Sequence, residues 1–198
     1  MKLFSLGALR KIPFFVWLLL LQAFLLVNAP AIAPPNSVDT TRTALTVYML
    51  MTATLMPLVP RQAWMKVGLN ESIAFFVGGL VVGSFVFAAF RELVTGIFSL
   101  SLSGPLYLLV LHVFVVATSE EIIFRGLLPV IITPALAQVF FGFFHFYAYG
   151  GSLIGIFIAI IAGFIFYAIT RYLNIWAAIG IHAAYNATVL GILSVVGV

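Results

Sequence analysis

The chain has 198 residues, of which 64% are hydrophobic and 7% charged, with a mean hydropathy of +1.26. A soluble domain carries roughly a quarter charged residues, so this composition cannot cover a water-facing surface. The net charge of +4 comes from scattered basic residues, which argues against a nucleic-acid partner, and the lack of cysteine excludes disulfides, thiolate chemistry and cysteine metal sites.

At about 20 apolar residues per span, the expected fold is all-α: a multi-pass integral membrane protein with about seven transmembrane helices. Residues 1–33 have the outline of a signal peptide, with Lys2, Arg10 and Lys11 ahead of an apolar run that ends in APAIA. The run is long for a signal core, and Pro34 and Pro35 follow the cleavage position, so an uncleaved first span over about 12–29 is expected. A second span covers about 43–59 and ends at Pro57 and Pro60; a third covers about 72–90 and stops at Arg91-Glu92. The fourth starts near Pro105, a residue suited to a first helical turn. The fifth follows Thr133-Pro134 and ends at Gly150-Gly151, the sixth covers about 152–170, and the seventh runs from about 175 to the C-terminus. Residues 1–100 thus hold the first three helices, and residues 101–198 hold helices four to seven.

Basic residues are enriched in cytoplasmic loops. Placing the N-terminus inside puts Lys2, Arg10, Lys11, Arg61, Lys66 and Arg171 in the cytoplasm and leaves Arg42 and Arg91 outside, as expected for a cell-membrane protein with a cytoplasmic N-terminus. Gly79-x-x-x-Gly83 and Gly151-x-x-x-Gly155 have the spacing of close helix packing, and Trp64 suits an interface anchor.

Residues 118–126, TSEEIIFRG, place two glutamates and an arginine between apolar runs. A cytoplasmic loop here would need turn residues, yet the only glycine follows the charges and the Ile-Ile-Phe centre reads as continuing helix. The fourth helix is therefore expected to continue through Arg125 to about Ile131, with the turn at Thr133-Pro134. Glu121 lies twelve residues before Thr133 and His145 twelve after it. In an antiparallel hairpin both return to one depth, roughly 15–18 Å from the turn at 1.5 Å per residue. His182, in the seventh helix, reaches roughly 15 Å from the same side.

Glu121 and Arg125 are four apart and suited to pair, which leaves Glu120, rotated about 100° away, to face a cavity. Phe141 shares a face with His145, and His182 with Asn186, by the same spacing. Ionisable groups in hydrocarbon are costly unless paired or hydrated, so this layer reads as a functional site, whereas lone His112 reads as helix packing. A carboxylate and an imidazole can activate water, and a second imidazole with an amide can stabilise an oxyanion, which together describe peptide hydrolysis. The alternative is water bound to a metal such as zinc, with Glu120, His145 and His182 as ligands. The H-E-x-x-H pair and G-x-S-x-G are absent.

EEIIFR (120–125) resembles the EExxxR motif of the CPBP family of intramembrane proteases, FGFFH (141–145) its FxxxH motif, and HAAYN (182–186) its HxxxN motif. The family is also called the CAAX protease, Abi, type II CAAX prenyl endopeptidase-like or lysostaphin-resistance-protein-A-like group. The resemblance covers about residues 105–190. It implies a helical membrane core that hydrolyses a peptide bond near a lipid-modified or membrane-embedded segment, in a cavity open to membrane and cytoplasm. It further implies that Glu120 and His145 activate water, that His182 and Asn186 stabilise the oxyanion, and that Arg125 holds Glu121. Members have been classed both as zinc metalloproteases and as metal-free glutamic proteases; the latter is preferred here, so no cofactor is required. The stretch after Arg125 is shorter than in many members, which bears on substrate access. Two competing readings remain: a non-catalytic peptide-binding or bacteriocin-immunity protein of the same fold, and a proton-coupled carrier, although no inverted repeat is visible.

Overall fold

The computed structural model describes residues 38–59, 68–89, 104–146 and 148–190, together with Val16 and Leu20. The expected first span (apart from Val16 and Leu20), Trp64, and the basic residues Lys2, Arg10, Lys11, Arg61, Lys66 and Arg91 lie outside the described residues. The elements are helical: α1 (Val38–Leu55) with a 3-10 turn (Met56–Leu58), α2 (Leu69–Ala89), α3 (Leu106–Glu121), a π-helical segment (Ile122–Leu127), α4 (Leu128–Ile131), α5 (Pro134–Phe144), α6 (Leu153–Tyr172) and α7 (Ile175–Val189).

Local chemistry explains where these helices begin. The side chains of Thr133, Ser152 and Asn174 accept hydrogen bonds from the backbone N–H of Leu136, Gly155 and Ala177, at 3.2, 3.2 and 2.9 Å. Each such N-cap satisfies a donor that the first turn leaves without an intrahelical partner. The turn expected at Thr133-Pro134 and the starts expected near 152 and 175 are all present.

The helix that carries the charges does continue from Leu106 to Ile131, but it is not uniform. Pro129, to which the sequence reading gave no weight as a breaker, sits inside it. A proline there has no N–H to give and crowds the carbonyl four residues back, at Arg125. The chain absorbs the fault by widening Ile122–Leu127 into a π segment and then resuming α-helix.

Three described helices are long and apolar enough to cross a membrane: Leu69–Ala89, Leu106–Ile131 and Leu153–Tyr172. Among the described residues the expected count of seven is not reached. α5 is too short to span alone, because its 11 residues rise only about 16 Å, half of a hydrocarbon core of about 30 Å. It stops at Phe144 instead of running to Gly150-Gly151, and a turn follows in which Gly150 and Gly151 take φ of 58° and 75°, a left-handed conformation suited to glycine.

The long helix is the axis of the bundle: α1 lies on one side and α7 on another. Tyr48 and Met51 of α1, Ile123 and Phe124 of the π segment, Phe141 of α5 and Ile179 of α7 meet in one buried cluster. α2 packs against α7 through small residues, as Gly79 and Gly83 predict. A Cβ on Gly83 would stand 2.8 Å from the Ala184 Cβ, and one on Gly180 would stand 2.8 Å from the Leu80 nitrogen. Gly151, by contrast, is a turn residue, so the second glycine pair is not a helix-packing motif. Gly155 alone of that pair is helical, and it makes room for Tyr149.

Candidate active site

The cluster forms where α1, the long helix, α5 and α7 approach one another. Glu120 closes the α-helical part of the long helix with Glu121, and Arg125 lies one turn on, inside the π segment. His145 is the C-cap of α5, a consequence of that helix ending early. His182 lies mid-way along α7. Glu120, Glu121, Arg125 and His182 are all buried.

One oxygen of Glu120 faces both imidazoles. Its Oε2 is 3.4 Å from His145 Nε2 and 3.6 Å from His182 Nε2. Its Oε1 accepts a hydrogen bond of 2.5 Å from the Tyr48 hydroxyl. Glu121 is engaged differently: its Oε1 accepts from His182 Nδ1 at 2.7 Å and lies 3.2 Å from Arg125 Nη1. Glu121 thus pairs with Arg125, as the spacing predicts, and also with one nitrogen of His182, while Glu120 faces His145 and the other nitrogen of His182.

Arg125 is held by charge and by rings. Its Cζ lies 3.9 Å from the centre of the Phe141 ring and 5.3 Å from that of Phe166, and its guanidinium nitrogens form no well-directed hydrogen bond among the described residues. Aromatic faces attract a desolvated guanidinium by about 2 kcal/mol or more. Phe166 also stacks on His182, with centroids 5.0 Å apart and planes 11° apart.

The backbone and carboxylate partners fix where the histidine protons sit. His145 Nδ1 is 2.8 Å from the Phe141 carbonyl, which can only accept, so Nδ1 carries a proton and donates. His182 Nδ1 likewise donates to Glu121. Both Nε2 atoms are thereby turned toward Glu120. The Arg125 guanidinium places a positive charge beside the buried Glu121 carboxyl group, which lowers the cost of burying both.

Asn186 lies one turn beyond His182, and its Nδ2 is buried without a hydrogen-bond partner among the described residues. His112 is not part of the converging set. It packs edge-on against the Tyr48 ring with centroids 6.3 Å apart, behind Glu120. Tyr48 itself escaped the sequence reading. It lies in α1, far from the motifs, and only its four-residue spacing to Thr52 marks a polar face. The Tyr149–Tyr185 hydroxyl pair, 3.0 Å apart, also went unread; Tyr149 stacks on His145 with centroids 5.7 Å apart.

Whether these groups fit a metal depends on the donor set. His182 turns Nδ1 to Glu121, so only its Nε2 faces Glu120. The metal alternative calls on Glu120, His145 and His182, and each turns one atom to a common point: Glu120 Oε2 with the two Nε2 atoms at 3.4 and 3.6 Å.

This constellation matches a known family. Residues 102–188 fit the family model described as Type II CAAX prenyl endopeptidase Rce1-like. That stretch, somewhat under half of the chain, is similar to the Rce1-like family. It takes in every charged and histidine residue of the cluster, together with Asn186, and leaves out α1 and Tyr48. The Rce1-like family is one of proteases, and with the apolar helices the match supports a membrane peptidase in general. No curated protein and no solved structure matches the chain.

Proposed function

We propose that the chain is an intramembrane endopeptidase that hydrolyses a peptide bond in or near the bilayer by Glu120- and His145-activated water. The observation that carries this reading is the convergence of two imidazole Nε2 atoms on one oxygen of a buried glutamate, at 3.4 and 3.6 Å. A water beside Glu120 Oε2 and His145 Nε2 meets two acceptors and can surrender a proton to that pair as its oxygen attacks the scissile carbonyl carbon. The carbonyl oxygen then becomes an oxyanion. Asn186 Nδ2 and a doubly protonated His182, donating from Nε2, are the groups in this layer able to hydrogen-bond it. Collapse of the tetrahedral intermediate breaks the C–N bond, and the proton taken from water passes to the leaving amine. Arg125 keeps Glu121 aimed at His182.

The proposed mechanism routes no step through a metal. An apolar cavity of about 300 Å³ between α1, the π segment and α5, lined in part by Met51, Phe124 and Phe144, supports an apolar or lipid-modified peptide as substrate. Phe144 is also an edge-on neighbour of His145, which puts that cavity beside the proposed base. We further place the chain in the cell membrane with its N-terminus cytoplasmic.

The test compares the purified protein with Glu120→Ala and His145→Ala variants on a membrane-peptide library by mass spectrometry. Wild type is expected to give products that both variants lack. Identical product sets from all three refute catalysis at this site. Adding a chelator or zinc is expected to leave the wild-type rate unchanged, and loss of activity with the chelator overturns the metal-free mechanism.

A further inference from the structure

We propose that Tyr48, outside the Rce1-like stretch, is a positioning residue that fixes which oxygen of Glu120 faces the reaction. The importance of Glu120 rests on the hydrolytic reading above. An ionised carboxylate has two equivalent oxygens, and the terminal torsion of a glutamate is broad and two-fold. Left alone, Glu120 can present either oxygen to the imidazoles or splay between them. The Tyr48 hydroxyl removes that equivalence: it donates to Oε1 at 2.5 Å and leaves Oε2 to His145 and His182.

Tyr48 is itself held for this task. Its ring is buried and boxed edge-on by His112 and Phe144, with centroids 6.3 and 6.4 Å away and planes at 88° and 76°. Its carbonyl accepts from the Thr52 hydroxyl at 2.9 Å and lies 3.1 Å from the hydroxyl of Ser119, the residue next to Glu120. The Ser119 hydroxyl is also in contact with Thr52 Oγ1 and lies 2.6 Å from the Val115 carbonyl. With one proton Ser119 donates to one carbonyl at a time, so Thr52 and Ser119 together share the two carbonyls of this junction. The seam between α1 and α3 is thus registered by hydroxyls at the level of Glu120. The N-terminal half of the chain supplies a functional part of a site whose recognisable motifs all lie in the C-terminal half.

The test uses the full-length protein carrying Tyr48→Phe, which keeps the ring and its packing and removes only the donor. Tyr107→Phe, on the exposed start of α3, is the control. A hydrogen bond to a charged group is worth about one to two powers of ten in rate when it acts in the transition state. Tyr48→Phe is therefore expected to lower kcat by about 10- to 100-fold, with KM within about twofold. Infrared difference spectra of wild type minus Tyr48→Phe are expected to show a shifted carboxylate band that disappears when both proteins also carry Glu120→Gln. Unchanged kcat, a rise in KM with kcat retained, or the absence of a Glu120-dependent band shift would overturn the proposal. If wild type cleaves no peptide at all, the hydrolytic reading falls, and the infrared arm still decides whether Tyr48 holds Glu120: a shift sustains the hold and no shift overturns it.

Discussion

Replacing Arg125 with leucine isolates the ion pair under the site. The Arg125 and Glu121 side chains are both fully buried, with Nη1 and Oε1 3.2 Å apart. Removing one member of such a pair strands the other charge, at a cost of about 3–5 kcal/mol. Loss of the Phe141 and Phe166 faces adds about 2 kcal/mol, which the apolar burial of leucine offsets by about the same amount. The net loss is about 3–5 kcal/mol, or roughly 6–20 °C in Tm for a chain of this size at about 2–4 °C per kcal/mol. The assay is thermal unfolding in detergent followed by circular dichroism. The double variant Glu121→Gln with Arg125→Leu has no stranded charge, and its amide oxygen still accepts from His182 Nδ1. It is expected to regain more than half of the lost Tm while remaining inactive. Two results would refute the reasoning: an Arg125→Leu protein melting within about 2 °C of wild type, or a double variant melting no higher than the single one.

Two further predictions concern packing and orientation. Gly180→Val drives a branched side chain into the backbone of α2 at Phe76 and Leu80 and is expected to cost at least about 1–3 kcal/mol, read by the same melt; a wild-type Tm would show that α2 does not seat there. Thr133→Cys, in a chain with no cysteine of its own, is expected to label from the cytoplasmic face of sealed vesicles, and labelling only from the outside would reverse the proposed topology.

Much of the site can be read from the sequence because its determinants are local. The turn at Thr133-Pro134 follows from proline and N-cap chemistry, and it alone brings the glutamates and His145 back to one level. The split between Glu120 and Glu121 follows from helical spacing. What escapes is set by contacts distant in sequence. α5 ends at Phe144 although GFFHFYAY contains no breaker; Gly142 is packed so closely on α6 that a Cβ there would stand 2.9 Å from the Ile156 carbonyl. The widening at Ile122–Leu127 answers to Pro129 only because the surrounding helices keep the chain helical beyond it. Tyr48 meets Glu120 across 72 residues, and no local pattern announces such a pairing.

The glycine seam between α2 and α7 has a mechanical consequence. The two backbones touch at Gly79 against the Ala177 carbonyl and at Gly180 against the Phe76 carbonyl, with no side chains between them to deform. α2 otherwise has little protein around it, and its 21 residues, about 31 Å long, match the thickness of a hydrocarbon core. Joined backbone to backbone, α2 and α7 are held as one rigid pair, and the depth of α2 is thereby tied to that of the helix that carries His182.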